Sequence, residues 1–98
     1  MRIEFSSLVE GDLDEIVDYI AQDNPKRAVS FLQEIGAQIQ AIGKNPRLYQ
    51  LRLEIGEGAR MAVVARYVIL FRVLADAVRI ERVVYGGREL VALFDFEE

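Results

Sequence analysis

Polar and apolar residues alternate from Arg2 to Phe5, the period of a strand. Ser7-Leu8-Val9-Glu10 then fits a capping box, in which the Ser7 hydroxyl accepts from the Glu10 backbone N–H and the Glu10 side chain reaches back. Glu10, Asp12, Asp14 and Glu15 crowd the early turns, where the positive end of a helix favours them. Leu13, Ile16, Val17 and Ile20 recur at i, i+3, i+4 and i+7 and make one apolar stripe. The pattern predicts a helix over about residues 8–22. Asn24-Pro25 closes it and opens another, since Asn is a good N-cap and Pro is tolerated at the first helical position. Leu32, Ile35, Ile39 and Ile42 continue the helical spacing, and Ala28 and Phe31 widen the stripe. Gly43 suits a C-terminal cap and Pro46 blocks continuation, so the second helix spans about 25–43. So short a link between the helices predicts an antiparallel hairpin.

Residues 47–59 read as irregular, with Gly56 and Gly58 marking a loop around Glu57. From Arg60 the period becomes two, with strands predicted over 60–65, 67–74 and 77–85 and a tight turn at Asp76. In the middle strand both alternating sets are apolar: Tyr67, Ile69, Phe71 and Val73 on one side, Val68, Leu70 and Leu74 on the other. Such a strand is central and covered on both faces. The helix hairpin can cover one face; the other calls for the chain's own C-terminus or another chain. Gly86-Gly87 breaks the last strand, and residues 88–94 read as a short terminal helix. The expected fold class is α+β, a single domain over residues 1–98. An N-terminal strand precedes an antiparallel two-helix hairpin packed on a small, mainly antiparallel sheet, in the order β-α-α-β-β-β, with a short C-terminal helix or tail.

Composition narrows the chemistry. The 98 residues include no Cys, His or Trp. That excludes disulfides, thiolate or HExxH zinc sites, and Cys- or His-based catalysis. No uncharged apolar run is long enough to span a membrane, and Glu4 interrupts the first apolar stretch, so neither membrane nor signal peptide is expected and the cytoplasm is the expected location. A net charge of −4 argues against indiscriminate coating of nucleic acid. The hydrophobic fraction of 52% is slightly high and hints at a surface covered by a partner.

The charge is divided along the chain. Residues 1–46 carry eight acids and four bases, residues 47–88 carry eight arginines and four acids, and residues 89–98 add four acids. Arginine offers a planar fork for carboxylates, phosphates and aromatic faces. Either these arginines flank strands and pair with local acids, or they form a face for a partner or RNA. Asp14 and Asp18, one turn apart, read as solvated helix surface rather than metal ligands, and neither metal nor cofactor is expected.

Several stretches resemble the ParE/RelE toxin superfamily. Asp12-Leu13-Asp14-Glu15-Ile16, Tyr19-Ile20-Ala21, Asn24-Pro25-Lys26-Arg27-Ala28 and Phe31-Leu32-Gln33-Glu34-Ile35 are similar to its helix hairpin. Leu53 to Arg60 looks like its Gly-x-Arg strand entry, Arg66 to Val73 like its central strand, and Ile80 to Leu90 like its last strand and tail. The resemblance covers residues 1–90 and lies closer to the ParE branch. It implies the toxin of a bacterial type II toxin–antitoxin pair, of the kind associated with plasmid stabilisation. In the ParE branch the target is DNA gyrase; in the RelE branch the toxin cleaves mRNA on the ribosome. Either implies a cognate antitoxin as partner, in a hetero-oligomer. A degenerate module that binds its antitoxin without toxicity is a third reading.

RNA cleavage needs a base for the 2′ proton, an acid for the leaving oxygen, and cations on the phosphate. Arg60, Arg82, Tyr85 and Arg88 stand where the resemblance to RelE-like nucleases would place such groups. Phenol and guanidinium are poor bases near neutral pH, and the last Lys is Lys44. The same four residues are therefore the candidate toxic surface of a protein-binding poison. Ordinary roles compete with this: Arg60 beside Glu54 or Glu57, Tyr85 packed at the sheet edge, Tyr19 in the core or on its flank, and Gly86-Gly87 as a turn. The antitoxin is expected on exposed apolar surface of the sheet and hairpin, which Phe94 and Phe96 would join or else cover within the chain.

Overall fold

The strand Arg2–Phe5 (β1) forms one edge of a four-stranded sheet. The computed structural model describes residues 1–87 and 90. Helices Val9–Ala21 (α1) and Pro25–Lys44 (α2) follow, then a single 3-10 turn at Pro46–Leu48, then strands Arg60–Val64 (β2), Tyr67–Val73 (β3) and Ala77–Tyr85 (β4). The strand order is β1-β4-β3-β2, with β1 parallel to β4 and the other pairs antiparallel. The α+β arrangement matches the one expected from the sequence. The terminal helix expected at 88–94, with Arg88, Phe94 and Phe96, lies outside the described residues apart from Leu90.

The second helix begins as its sequence dictates: the Asn24 side chain accepts from the Arg27 N–H at 3.0 Å, and Pro25 takes the first helical position. Its end differs. The helix runs through Gly43 to Lys44, with Asn45 as the cap. Gly43 is a packing residue instead, since a Cβ there would stand 2.6 Å from Ile3 Cδ1. The first helix also starts differently. The cap position is Leu8 and no side chain caps the helix; Ser6 instead ties the helix start to the sheet, its hydroxyl accepting from the Leu8 N–H at 3.2 Å and donating to the Glu81 carbonyl at 2.6 Å.

The hairpin covers one face of the sheet. Ile35 and Ile42 of α2 meet Ile69, Phe71, Val78 and Ile80, all at 1% exposure or less. Each such side chain contributes about 1.5–3 kcal/mol on burial. The other face is covered from within the chain, by the segment read as irregular. Ile55 and Ala59 bury Val68, Leu70 and Val84, and Leu90 packs against the same cluster. That cover is tied down by backbone bonds from Arg52 N–H to the Ala59 carbonyl at 2.7 Å and from Ala59 N–H to the Gly56 carbonyl at 3.1 Å.

Two irregularities shape the far half of β4. Leu70 pairs with Arg82 and Phe71 with Ile80, which leaves Glu81 as an extra residue, a β-bulge. The bulge switches alternation: Val78 and Ile80 face the helices before it, Val83 after it. Meanwhile β1 stops at Phe5, opposite Ile80, so among the described residues β4 runs on without a neighbouring strand on that side. Side chains replace the missing strand. Ser6 Oγ takes the Glu81 carbonyl, and Asp12 Oδ2 accepts from the Val83 N–H at 3.0 Å. Asp12 also receives the Arg82 guanidinium in two-pronged fashion, at 2.8 and 2.7 Å, with the side chains only 5% and 14% exposed. The bonded carboxylate raises the Arg82 pKa above its ordinary value, so the guanidinium stays charged.

Truncating one partner of a buried pair costs about 3–5 kcal/mol, against about 5–15 kcal/mol for a whole domain. Asp12→Ala should therefore lower unfolding free energy in urea by about 3 kcal/mol; a loss below about 1 kcal/mol would refute the lock. A second test concerns the two-residue connection Ala65-Arg66, where Ala65 sits at φ +54°. Ala65→Gly should stabilise the chain by about 0.5–1 kcal/mol, because relief of left-handed strain outweighs the added unfolded-state entropy. A rise in the urea midpoint would report it.

Candidate functional site

The end of the sheet where β4 finishes is the most elaborated part of the surface. Tyr85 ends β4, Tyr67 opens β3 opposite it, and the Ala65-Arg66 connection closes the same end. Helix α1 brings Glu15 and Tyr19 over this end. Between them lies an open cleft of about 510 Å³ with Ile16, Ile20 and Val83 in its lining. Its aromatic side is continuous. The Tyr67 ring lies 5.9 Å from Tyr85, edge-on, and 5.4 Å from Phe31, over which Arg27 stacks at 5.0 Å. Such pairs add about 0.5–1.5 kcal/mol beyond area burial.

Backbone geometry sets the Tyr85 ring. The Gly86 N–H donates to the Arg66 carbonyl at 2.8 Å, joining the end of β4 to the β2–β3 connection. A Cβ on Gly87 would stand 2.5 Å from the Tyr85 ring, so Gly87 provides the space in which that ring lies. The turn expected of Gly86-Gly87 thus also places an aromatic side chain.

The four candidate residues separate. Tyr85 lines the cleft and is half-exposed, with its ring against Tyr67. Arg82 is committed to Asp12, which itself reaches the cleft wall, so Arg82 holds the cleft from behind. Arg60 opens β2, paired with Phe71, about 13 Å along the strand from the Val64–Tyr67–Tyr85 row. It donates to the Tyr49 carbonyl at 2.7 Å rather than to Glu54 or Glu57; Glu54 is taken by Arg52 at 2.5 Å. Arg88 lies outside the described residues. Tyr19 is a flank residue, 68% exposed.

Most other arginines pair locally. A ladder of alternating charge crosses three strands: Asp76–Arg2 at 3.3 Å, Arg2–Glu4 at 2.7 Å, Glu4–Arg79 at 3.7 Å, and Glu81 at 3.4 Å from both Arg79 and Arg72. Arg66 has no ionic partner among the described residues and stands at the cleft. Sequence reasoning missed Arg66, Glu15, Tyr67 and Asp12 as site residues. Asp12 had a signal: it falls between Val9 and Ile16 on the buried side of α1.

Tyr67 has its pKa raised, first by burial and then by the neighbouring Tyr19 and Tyr85, which moves it further from the range of a general base. Its hydroxyl therefore stays protonated as a hydrogen-bonding group. Among the described residues no group of three His, Cys, Asp or Glu side chains is placed to hold a metal ion.

A second depression, about 320 Å³, lies between the end of β1 and the hairpin, with Phe5, Leu13, Val17 and Leu32 in its lining. Phe5 and Leu32 remain 53% and 42% exposed, and Leu8 and Val29 are exposed as well.

A group held protonated in the folded state loses its stabilising effect as pH rises from its unfolded value through its folded one. For Tyr67 that window opens at about 10 and extends upward. Stability should fall across it, and Tyr67→Phe should remove both that part of the fall and a late tyrosinate step in ultraviolet titration. Identical alkaline curves would contradict the burial of Tyr67.

Among the described residues no helix is long and apolar enough to cross a membrane. No curated protein matches the chain in sequence. A solved chain from "Chromosomal ParDE TA system from P. aeruginosa" is similar in fold, with a TM-score of 0.77 and 22% identity over 87% of this chain and 95% of that one. The family model of the ParE toxin of type II toxin–antitoxin systems, parDE, matches residues 3–90. The chain belongs to the ParE toxin family.

Proposed function

We propose that the chain is the toxin of a cytoplasmic toxin–antitoxin pair that poisons DNA gyrase by binding it, and that a cognate antitoxin neutralises it. The observation that carries the binding reading is the fate of the nuclease candidates. Arg82 is locked to Asp12, Arg60 is bonded to the Tyr49 carbonyl well away from Tyr85, and Tyr67 is held protonated. None of these described candidates is a free phosphate-holding cation beside a group that moves protons near neutral pH. Family membership supplies the toxin class. An antitoxin has an apolar seat at the groove of Phe5, Leu13, Val17 and Leu32, since such a patch on a small domain is suited to a partner's apolar face.

Inducible expression should arrest growth and raise a DNA-damage response, and purified chain should yield cleaved plasmid with gyrase. Codon-by-codon mRNA cleavage would replace this with the ribosomal reading, and normal growth would leave an antitoxin-binding module. Leu32→Glu places a charge in the groove and should weaken antitoxin binding by about tenfold or more in calorimetry while leaving growth arrest intact. Unchanged antitoxin affinity would remove the groove from the interface.

A further inference from the structure

The tyrosine cleft has a composition that neither the fold nor the groove requires. Tyr19, Tyr67 and Tyr85 come from three different elements and line one space. Glu15 lines the same space and has no ion pair among the described residues, whereas the Asp12 carboxylate is occupied by Arg82 and the Val83 N–H. We propose that this cleft seats one arginine side chain, presented by an extended basic segment of a partner protein. The inference goes beyond gyrase poisoning and holds whichever macromolecule the toxin acts on.

The chemistry selects this occupant. A cation is attracted to the faces of aromatic rings, and a planar guanidinium can stack on a ring while donating to hydroxyl and carboxylate oxygens in its plane. The three phenol oxygens and Glu15 are the acceptors such a group needs. An aliphatic side chain would strip water from those oxygens without replacing the hydrogen bonds. A nucleotide could stack, but its phosphate would approach the most acidic element of the molecule. Helix α1 carries Glu10, Asp12, Asp14, Glu15 and Asp18 and no base, and four of these five acids are exposed. That face favours an approaching basic segment and repels a polyanion. Arg66, on the β2–β3 connection at the cleft, offers donors for the segment's backbone carbonyl oxygens. A volume of about 510 Å³ accommodates an arginine side chain with its adjoining backbone.

The test is nuclear magnetic resonance on the full chain, titrated with a capped glycine–arginine–glycine peptide. Its citrulline counterpart, the same shape without the charge, and adenosine monophosphate serve as the other arms. The ring resonances of Tyr19, Tyr67 and Tyr85 should shift together on adding the arginine peptide, and the citrulline peptide should bind about fivefold or more weakly. Glu15→Gln and Tyr19→Ala change exposed side chains, and each should weaken the arginine peptide by about fivefold with the rest of the spectrum unchanged. Equal binding of citrulline, preferential binding of the nucleotide at these rings, or no ring shift at saturating peptide would each overturn the proposal.

Discussion

One carboxylate holds the working end of this molecule together. Strand β1 ends opposite Ile80, five residues before β4 does, and an uncovered strand edge in that position would leave backbone groups without partners. Asp12 supplies an acceptor to the Val83 N–H and to both prongs of Arg82, and Ser6 caps the Glu81 carbonyl. Three consequences follow. The start of α1 is pinned to the sheet, β4 keeps its register beyond the bulge, and Val83 to Tyr85 are placed beneath Tyr19. The cleft is thus a consequence of how the sheet edge is finished.

The division of charge along the chain acquires a spatial meaning. Four of the eight arginines of the second half meet acids: Arg79 and Arg72 flank the buried Glu81, Arg52 meets Glu54, and Arg82 meets Asp12 from the first half. The exposed pair Arg52–Glu54 contributes little to stability by itself, unlike the buried Arg82–Asp12. Together these pairs offset part of the sheet's positive charge, whereas Glu10, Asp14, Glu15 and Asp18 of α1 have no ion pair among the described residues, and Glu15 shares the cleft lining with Arg66. The molecule presents an acidic aromatic cleft and a separate apolar groove, two surfaces suited to different partner segments.

Much of the fold was readable from periodicity. The helix stripes, the Asn24-Pro25 boundary and the doubly apolar β3 depend on local patterning and burial, which sequence spacing reports directly. What escaped were features fixed by distant contacts. The bulge at Glu81 interrupts alternation inside a strand whose sequence looks regular, and Gly43 is small because Ile3 packs on it from the other end of the domain. The cover over Val68 and Leu70 comes from Ile55 and Ala59, apolar positions in a stretch without period. At the candidate site, alternation places Tyr85 at the end of the last strand, while Arg60 and Arg82 look available in sequence because their partners, the Tyr49 carbonyl and Asp12, lie 11 and 70 residues away. Asp12 was read as one acid among several at a helix start. Its place on the buried side of α1 distinguishes it from Asp14 and Asp18.

The central claim, that Asp12 stands in for a missing strand along β4, is tested most directly by hydrogen exchange at the Val83 amide. In the native chain this amide should be protected to nearly the same degree as the core ladder of β3 and β4, although among the described residues no strand lies on the β1 side of β4 at this point. In Asp12→Ala its protection should collapse selectively, while Ile69 and Phe71 lose only what the global drop in stability requires. Exchange at Val83 as fast as in an exposed loop in the native chain, or protection that survives the loss of Asp12, would contradict the account.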